Sequence, residues 1–532
     1  LRAPGKRGIV GLSRLNIHPR EAFQVNPTIA LRLAKRKRRI ARRLRRSRHR
    51  QDTGWADLPV GKVTYEVSDR ANAVGHGGLG VVHQLVSELG VARRIDERVR
   101  VLKVHRPYHE SDHVLNLAYN VLCGGRTLED LELRRNDEAH LNALGVQSIP
   151  DPTTAGDFCR RFEEKDIDAL QDAINAVRVD VWRAQDPSFF QETACIDVDG
   201  SLVATTGECK GGMALSYKGV WGYHPLLVSL ANTGEPLFLA NRSGNVGSHT
   251  GAAAYLDRAI DLVRDGGFTD VLLRGDTDFS QTKFLDGWHD QGVRFVFGYD
   301  ARKNLTEKAD GLSDDFSELA RRAKTAFVEV DQQRAKPIRH KEAWVRAKGY
   351  KNIVLKSEDI AEFDYQPQAC ARPYRMVVLR KNLSIERGET VLMDDVRYFF
   401  YITNNRDMTA RDVVYASNDR CNQENLIEQL KNGVRALHAP TNTLLSNWAY
   451  MVMTSLAWSI KAWMALRLPV SARWKAKHIA ERRRWLRMEF RSFLNEVILV
   501  PAQILQSGRR RVWRLLAWRP QLPTLLRLLD AL

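Results

Sequence analysis

AAAYLDRAIDLVRDGGFTDVLLRGDTDF, residues 252–279, holds both periods of an α/β fold in one stretch. Its first sixteen residues carry apolar side chains at three- and four-residue spacing and predict a helix. VLLRG, which follows, is short and apolar enough to be an inner strand. Asp276 closes that strand, and a carboxylate at the C-terminal end of an inner strand stands where α/β sheets place their sites. Alternatively Asp276, or Asp278 two residues on, caps the helix that comes next.

Outward from this stretch the same alternation continues. ACIDVDGSLVAT predicts a strand, MALSYKGVWGYHPLLVSLAN a second strand broken by a turn, and PLFLANRSGN a third. TKFLDGWHDQG reads as a helix and VRFVFGYD as another strand. Antiparallel strands followed by alternating helix and strand fit an α/β layer of ribonuclease H type. After Asp300 the pattern dissolves into short, charged, β-leaning pieces, until RYFFYITNN resumes a clear strand. The simplest account is a core at residues 186–300, a β-rich insertion at 301–395 and a second part of the core at 396–470.

Asp197 and Asp199 sit two apart in the first strand, so both side chains point to one face. Asp199 stands before Gly200-Ser201, where the strand turns over, and is the better metal ligand, with Asp197 as substitute. Both could instead be surface acids, though the apolar Ile196 and Val198 beside them argue against that. A third acid lies in DRCNQENLIEQLKNG, residues 419–433. On a helix, Arg420, Glu424 and Lys431 share a face, an arrangement equally open to a surface ion-pair ladder with Glu428. Two divalent cations about 3.5–4 Å apart can activate a nucleophile and stabilise a leaving oxygen in phosphoryl transfer. Hard cations such as Mg²⁺ require the oxygen ligands that three carboxylates supply.

The remainder of the chain is basic. A net charge of +19 over 532 residues attracts polyanions, with nucleic acid the usual partner, unless a tail carries the excess. Residues 1–53 contain LRLAKRKRRIARRLRRSRHR, twelve cations and no acid, a block expected to repel itself and stay extended without fixed structure until it meets phosphate. No apolar core of a signal peptide precedes it. Residues 54–185 look helical, and SIPDPTTAGDFCRRF within them fits either a helix-turn-helix reader of DNA or an ordinary bundle with a proline turn. LLSNWAYMVMTSLAWSIKAWMAL, 444–466, interrupted by Asn447, Ser459 and Lys461, predicts a buried core helix and not a membrane span. Residues 471–532 predict a basic helical tail, with Arg and Trp interleaved along nucleic acid or with Trp packed inward. Six scattered cysteines without a C-x-x-C pair argue against a disulfide framework and a zinc site, and fit a reducing cytoplasm.

Taken together, Asp199 in IDVDGS, Asp276 in LRGDTDF and Glu424 in NQENLIEQLKNG resemble the acidic triad of DDE transposases of bacterial insertion sequences. The resemblance is to the group with a Y-R-E-K pattern, onto whose Arg, Glu and Lys fall Arg420, Glu424 and Lys431. RGDTDF is similar to that family's R-A-D-S-G-F, with Asp278 where glycine is usual. YHPLLVSLANTGEPLFLANRSGN and YEVSDRANAVGHGGL add to the likeness, which runs from about 62 to about 470 and places the expected start near Lys62. One departure is Ser417 at the tyrosine of the pattern, the nearest tyrosine being Tyr415. The resemblance implies an enzyme that binds terminal inverted repeats, nicks them by attack of water and joins the 3′-hydroxyls to target DNA. Asp199, Asp276 and Glu424 would hold Mg²⁺, with Mn²⁺ as a substitute; Arg420, Lys431 and Tyr415 would hold phosphates. It further implies a homodimer on paired DNA ends in the cytoplasm, associated with the nucleoid, and an unassigned insertion aromatic that supports a flipped base. The alternative is an inactive or domesticated ribonuclease-H-like DNA-binding protein without transposition activity.

Overall fold

The computed structural model describes residues 26–48, 63–65, 72–312, 328–329, 342–388, 390–508 and 510–532. The expected start near Lys62, the YEVSDRA part of the motif from Glu66, the ends of the 1–53 extension and most of the 313–341 part of the insertion lie outside the described residues.

The centre is a nine-stranded mixed sheet. In chain order its strands are β1 (Ala194–Gly200), β2 (Leu226–Leu230), β3 (Glu235–Ala240), β4 (Val271–Gly275), β5 (Arg294–Tyr299), β6 (Val328–Glu329), β7 (Lys351–Tyr365), β8 (Tyr374–Arg387) and β9 (Thr390–Thr403). Across the sheet they run β6-β7-β8-β9-β5-β4-β1-β2-β3. The pairs β1–β2 and β2–β3 are antiparallel, while β1–β4 and β4–β5 are parallel. The first five strands thus form a meander followed by two crossovers, each carrying a helix: Ala252–Gly266 before β4 and Thr282–Asp290 before β5. β2, β3 and β4 are buried along their whole length between two covering layers, including the polar Ser229, Glu235 and Arg274, one in each strand. Leu256, Ala259, Ile260 and Val263 form the inner face of the first crossover helix, which ends at Gly267, where φ is 121°.

The insertion is not set apart from this sheet. β7, β8 and β9 are long antiparallel strands, and the last four residues of β9, Phe400–Thr403, pair with Val296–Tyr299 of β5. The strand expected from RYFFYITNN is therefore the inner end of a fourteen-residue strand that begins out in the insertion.

Against the sheet lies the Leu444–Leu466 helix, buried from Ser446 through Leu466 as expected of a core element. Asn447 donates to the Thr441 and Thr443 carbonyls, and the Lys461 ammonium donates to Leu486 O at 2.8 Å and lies 3.8 Å above the Trp458 ring. Among the described residues no helix is long and apolar enough to cross a membrane. The Glu164–Arg183 helix packs beside it through a buried knot. Glu235 of β3, fully buried, accepts from Arg178 Nε at 3.1 Å, from the Trp182 indole at 3.0 Å and from the Trp463 indole at 2.9 Å. The helices between Leu79 and Arg183 consequently share one hydrophobic core with the sheet. Within them the Pro152–Cys159 helix is capped by Asp151 and buries Ala155, Gly156, Phe158 and Cys159, so most of one face of the candidate reader belongs to the core.

Two segments depart from expectation. Pro27–Arg48 of the basic block is helical, with Leu33 packed on the core and Lys37 above the Trp518 ring. The 471–532 tail is only partly helical: Ala502–Ser507 and Arg510–Leu515 form an antiparallel hairpin that adds to Ala73–Val74. RRVWRL reads equally well at the two-residue period of a strand, and Gly508 at φ 57° supplies the turn. Trp485 is buried and donates to Gln521, and Trp513 packs over Gly80, so these two tryptophans serve packing, while Trp474 is exposed.

Candidate active site

The parallel register of β1 and β4 pairs Asp197 with Arg274. Two residues further along each strand stand Asp199 and Asp276, at matching C-terminal ends of neighbouring strands. Asp276 leaves β4 as the cap of a short 3-10 turn, its carboxylate accepting from the Asp278 N–H at 3.0 Å. Both of the roles considered for Asp276, strand-end acid and cap, thus describe one residue.

Glu424 reaches the same end of the sheet on a different element. Thr409 caps the Ala410–Asp419 helix; Arg420 forms the joint; Cys421–Glu428 continues as a second helix and Gln429–Gly433 as a π-turn. Arg420, Glu424 and Lys431 therefore do not share one uninterrupted α-helix, and a simple face count does not set their relative directions. What fixes Glu424 is the residue before it. Gln423 is buried, accepts from the Ser229 hydroxyl and donates to the Leu227 carbonyl of β2 at 3.2 Å, while Leu426, Ile427 and Leu430 enter the core. Glu424 itself remains exposed.

Electrostatics tie the acids together. Burial pushes the Asp199 carboxyl up to about 6; Asp276 and Glu424 add to the rise, and Arg420 and the Gly200 N–H oppose it. The Arg420 guanidinium donates to Asp199 Oδ2 at 3.1 Å. Asp276 is raised as well, by burial first, with Arg420 opposing and Asp278 and Asp300 adding. Lys431 is lowered by burial, while Glu428 and Asp199 pull it back. Three acids and two cations of the sequence reading thus feel one another across a sheet end.

Three other residues occupy different situations. Asp197, the substitute ligand, is 1% exposed with both oxygens accepting from Arg274, at 2.7 and 2.9 Å, so it has no open lone-pair face to offer a cation. Arg274 also donates to Ala416 O, which ties the Ala410–Asp419 helix to the sheet. Asp278 is exposed on the turn beyond Asp276. The Tyr415 hydroxyl accepts from Arg411 of its own helix at 3.2 Å. Sequence reading passed over Gln423 and Arg274. A cation inside a buried strand requires a paired carboxylate on its neighbour, and that signal was present in LLRG beside CIDVD.

The donor set suits a hard cation: three carboxylates, no sulfur or imidazole. The triad is not among the clusters whose ligand atoms all lie within 4.8 Å of one another, which for the described residues are His76–Cys123–His140 and Asp96–His109–Glu110. A two-cation site has no such need, since each ion is flanked by only part of the acid set.

Comparison with known proteins now adds to this geometry. The transposase DDE domain group 1 model matches residues 65–532, and the chain belongs to that family. Among solved structures, the piggyBac transposase synaptic complex with hairpin DNA, determined by cryo-electron microscopy, is similar at 10% identity and a TM-score of 0.33, over 79% of this chain and 81% of that one. A search of curated proteins found no match.

Proposed function

We propose that this chain is the transposase of a bacterial insertion sequence: it binds terminal inverted repeats, cuts DNA at the element's ends and transfers the strands to target DNA. The observation that carries this reading is that Asp199 and Asp276 each follow the Asp197–Arg274 pair by two residues, at the ends of adjoining strands, with Glu424 on a helix that Gln423 pins to β2. The order of the first five strands and the directions of their pairings support a ribonuclease-H-like core extended by the β-rich insertion. Asp199, Asp276 and Glu424 would hold divalent cations, Mg²⁺ or in its place Mn²⁺. When bound, such ions supply an activated water or hydroxyl and stabilise the leaving oxygen.

The chain's own residues prepare the site for this. Burial makes Asp199 and Asp276 poor hosts for negative charge without a counter-charge, so cation affinity is built in. Arg420 supplies that counter-charge to Asp199 and is placed to pass to a DNA phosphate, while Lys431 approaches from the π-turn as a second phosphate-holding cation. Tyr415 would contribute a hydroxyl to the same end in place of the tyrosine that Ser417 lacks. The substrate is double-stranded DNA, attracted by the +19 charge, and the acting species is a homodimer on paired ends in the cytoplasm, at the nucleoid.

The test is cleavage of a plasmid carrying the flanking repeats, in Mg²⁺ or EDTA, by wild type and Glu424→Ala. Metal-dependent nicks at repeat ends that vanish in the variant are expected. Ser417 favours a second reading, an inactive DNA-binding relative; binding to the repeats without any cut, identical in both proteins, would establish it.

A further inference from the structure

A second cluster of ligating side chains lies in the helical region, remote in sequence from the acids. His76 sits in the turn before the Leu79–Glu88 helix, Cys123 caps the end of Glu110–Leu122, and His140 lies in Glu138–Leu144. All three are buried, and one ligand atom from each lies within 4.8 Å of the other two. His76 Nε2 and His140 Nδ1 are 2.9 Å apart. Burial keeps both imidazoles neutral, each with a lone pair to give. Next to them is a cavity of about 380 Å³ lined by His140, Arg134, Tyr119, His83 and Asn120. Two groups on its wall, Arg134 Nε and Asn120 Oδ1, are buried without a hydrogen-bond partner. Of the three, His140 alone lines this cavity, which therefore approaches the cluster from the His140 side.

We propose that His76 Nε2, Cys123 Sγ and His140 Nδ1 hold a transition-metal ion, zinc by the character of the donors, with the fourth position left open. One thiolate and two imidazoles are a borderline-soft set that selects zinc over magnesium or calcium. A tetrahedral zinc with its usual bond lengths sets the two nitrogens roughly 3.3 Å apart, so the imidazoles must part by only a few tenths of an ångström. Binding deprotonates the Cys123 thiol, and one proton is released. Whichever imidazole carries the shared proton shifts to its other tautomer, that proton moving to the far ring nitrogen. The Asp137 carboxylate, which caps the His140 helix, and the thiolate offset the ion's charge; the Arg134 guanidinium, bonded to Cys123 O, stabilises the thiolate. Three segments that no short sequence spacing links would thus be stapled together. Asp96–His109–Glu110, the other close cluster, is already used: Asp96 accepts from Ser111, and Glu110 from the Val101 and Leu102 N–H groups.

The test uses the full chain, stripped with chelator and then loaded with Co²⁺ as a spectroscopic stand-in. A near-ultraviolet sulfur-to-cobalt charge-transfer band that saturates at one equivalent per chain is expected, lost in Cys123→Ser and kept in Cys209→Ser, whatever further cobalt the acid site takes. Zinc content of the protein as purified, measured by mass spectrometry, should be near one per chain and fall at least tenfold in His140→Ala. Should either variant fail to fold, the wild type still decides: no charge-transfer band and no stoichiometric zinc would leave a plain histidine hydrogen bond and overturn the proposal. Cobalt bound with the band intact in Cys123→Ser would overturn it too.

Discussion

Two aspartates two residues apart, Asp197 and Asp199, should respond oppositely to the same substitution. The carboxyl of Asp199 sits at about 6, against an ordinary value of 3.8. Because the folded value lies above the unfolded one, this group's stabilising contribution is full below pH 3.8 and is lost as pH rises through about 6. A shift of that size is worth about 3 kcal/mol, which the metal-free folded chain forfeits at pH 8. That value already includes the opposing pull of Arg420, so an amide, which stands in for the neutral acid, should recover up to about 3 kcal/mol at pH 8. Burial raises the Asp197 carboxyl too, with Arg274 opposing, but here the two-bond pairing to a buried guanidinium decides, and Asp197→Asn does the reverse. It leaves the buried Arg274 guanidinium without its carboxylate, at a cost of about 3–5 kcal/mol. Thermal or urea denaturation in EDTA at pH 8 and near pH 4 measures both. Asp199→Asn should be more stable than wild type at pH 8, with the gain gone near pH 4, and Asp197→Asn less stable at both. An Asp199→Asn protein that loses as much stability at pH 8 as Asp197→Asn would refute this assignment of the two carboxylates. Divalent cation should then stabilise wild type and not Asp199→Asn.

Three further outcomes are expected. Gln423→Leu strands the Leu227 carbonyl and the Ser229 hydroxyl, costs about 1–3 kcal/mol, and should slow DNA cutting far more than it weakens end binding, as paired cleavage and gel-shift assays will read. Glu235→Ala leaves the buried Arg178 and two indoles without their carboxylate, Arg178 keeping only the Pro236 carbonyl and the Ser459 hydroxyl, and should lower the urea midpoint by the equivalent of about 3–5 kcal/mol. Burial lowers Lys461 to about 7, so its contribution to stability is full above pH 10.5 and is lost as pH falls through 7; Lys461→Met should therefore raise the thermal midpoint more at pH 6 than at pH 9.

How much of this was legible in the sequence depended on the range of the interaction. The helix and strand of 252–275 follow from periods three to four residues long, and the structure has them. The positions of Asp199 and Asp276 at strand ends were legible for the same reason. The joint at Arg420 was not, because nothing local in DRCNQENL marks a break, and the break arises where Gln423 fastens one helix to β2. Arg–Trp alternation in SGRRRVWRLL satisfies either period; its strand partner is the neighbouring Ala502–Ser507, whose other edge takes Ala73–Val74 from more than four hundred residues away. The zinc-type cluster escaped for a related reason: spacing rules see ligands on one loop or helix, and these three residues are gathered by packing.

β9 has a mechanical consequence. It starts at Thr390 in the extended arm, ends at Thr403 beside β5, and after six residues the chain enters the helices that carry Arg420 and Glu424. The arm and the acid site are thus joined through one strand, paired with β8 from Thr390 to Thr403 with a bulge at Leu392. A displacement of the arm is therefore carried along the strand to Thr403 and reaches the Glu424 segment through only the six residues 404–409.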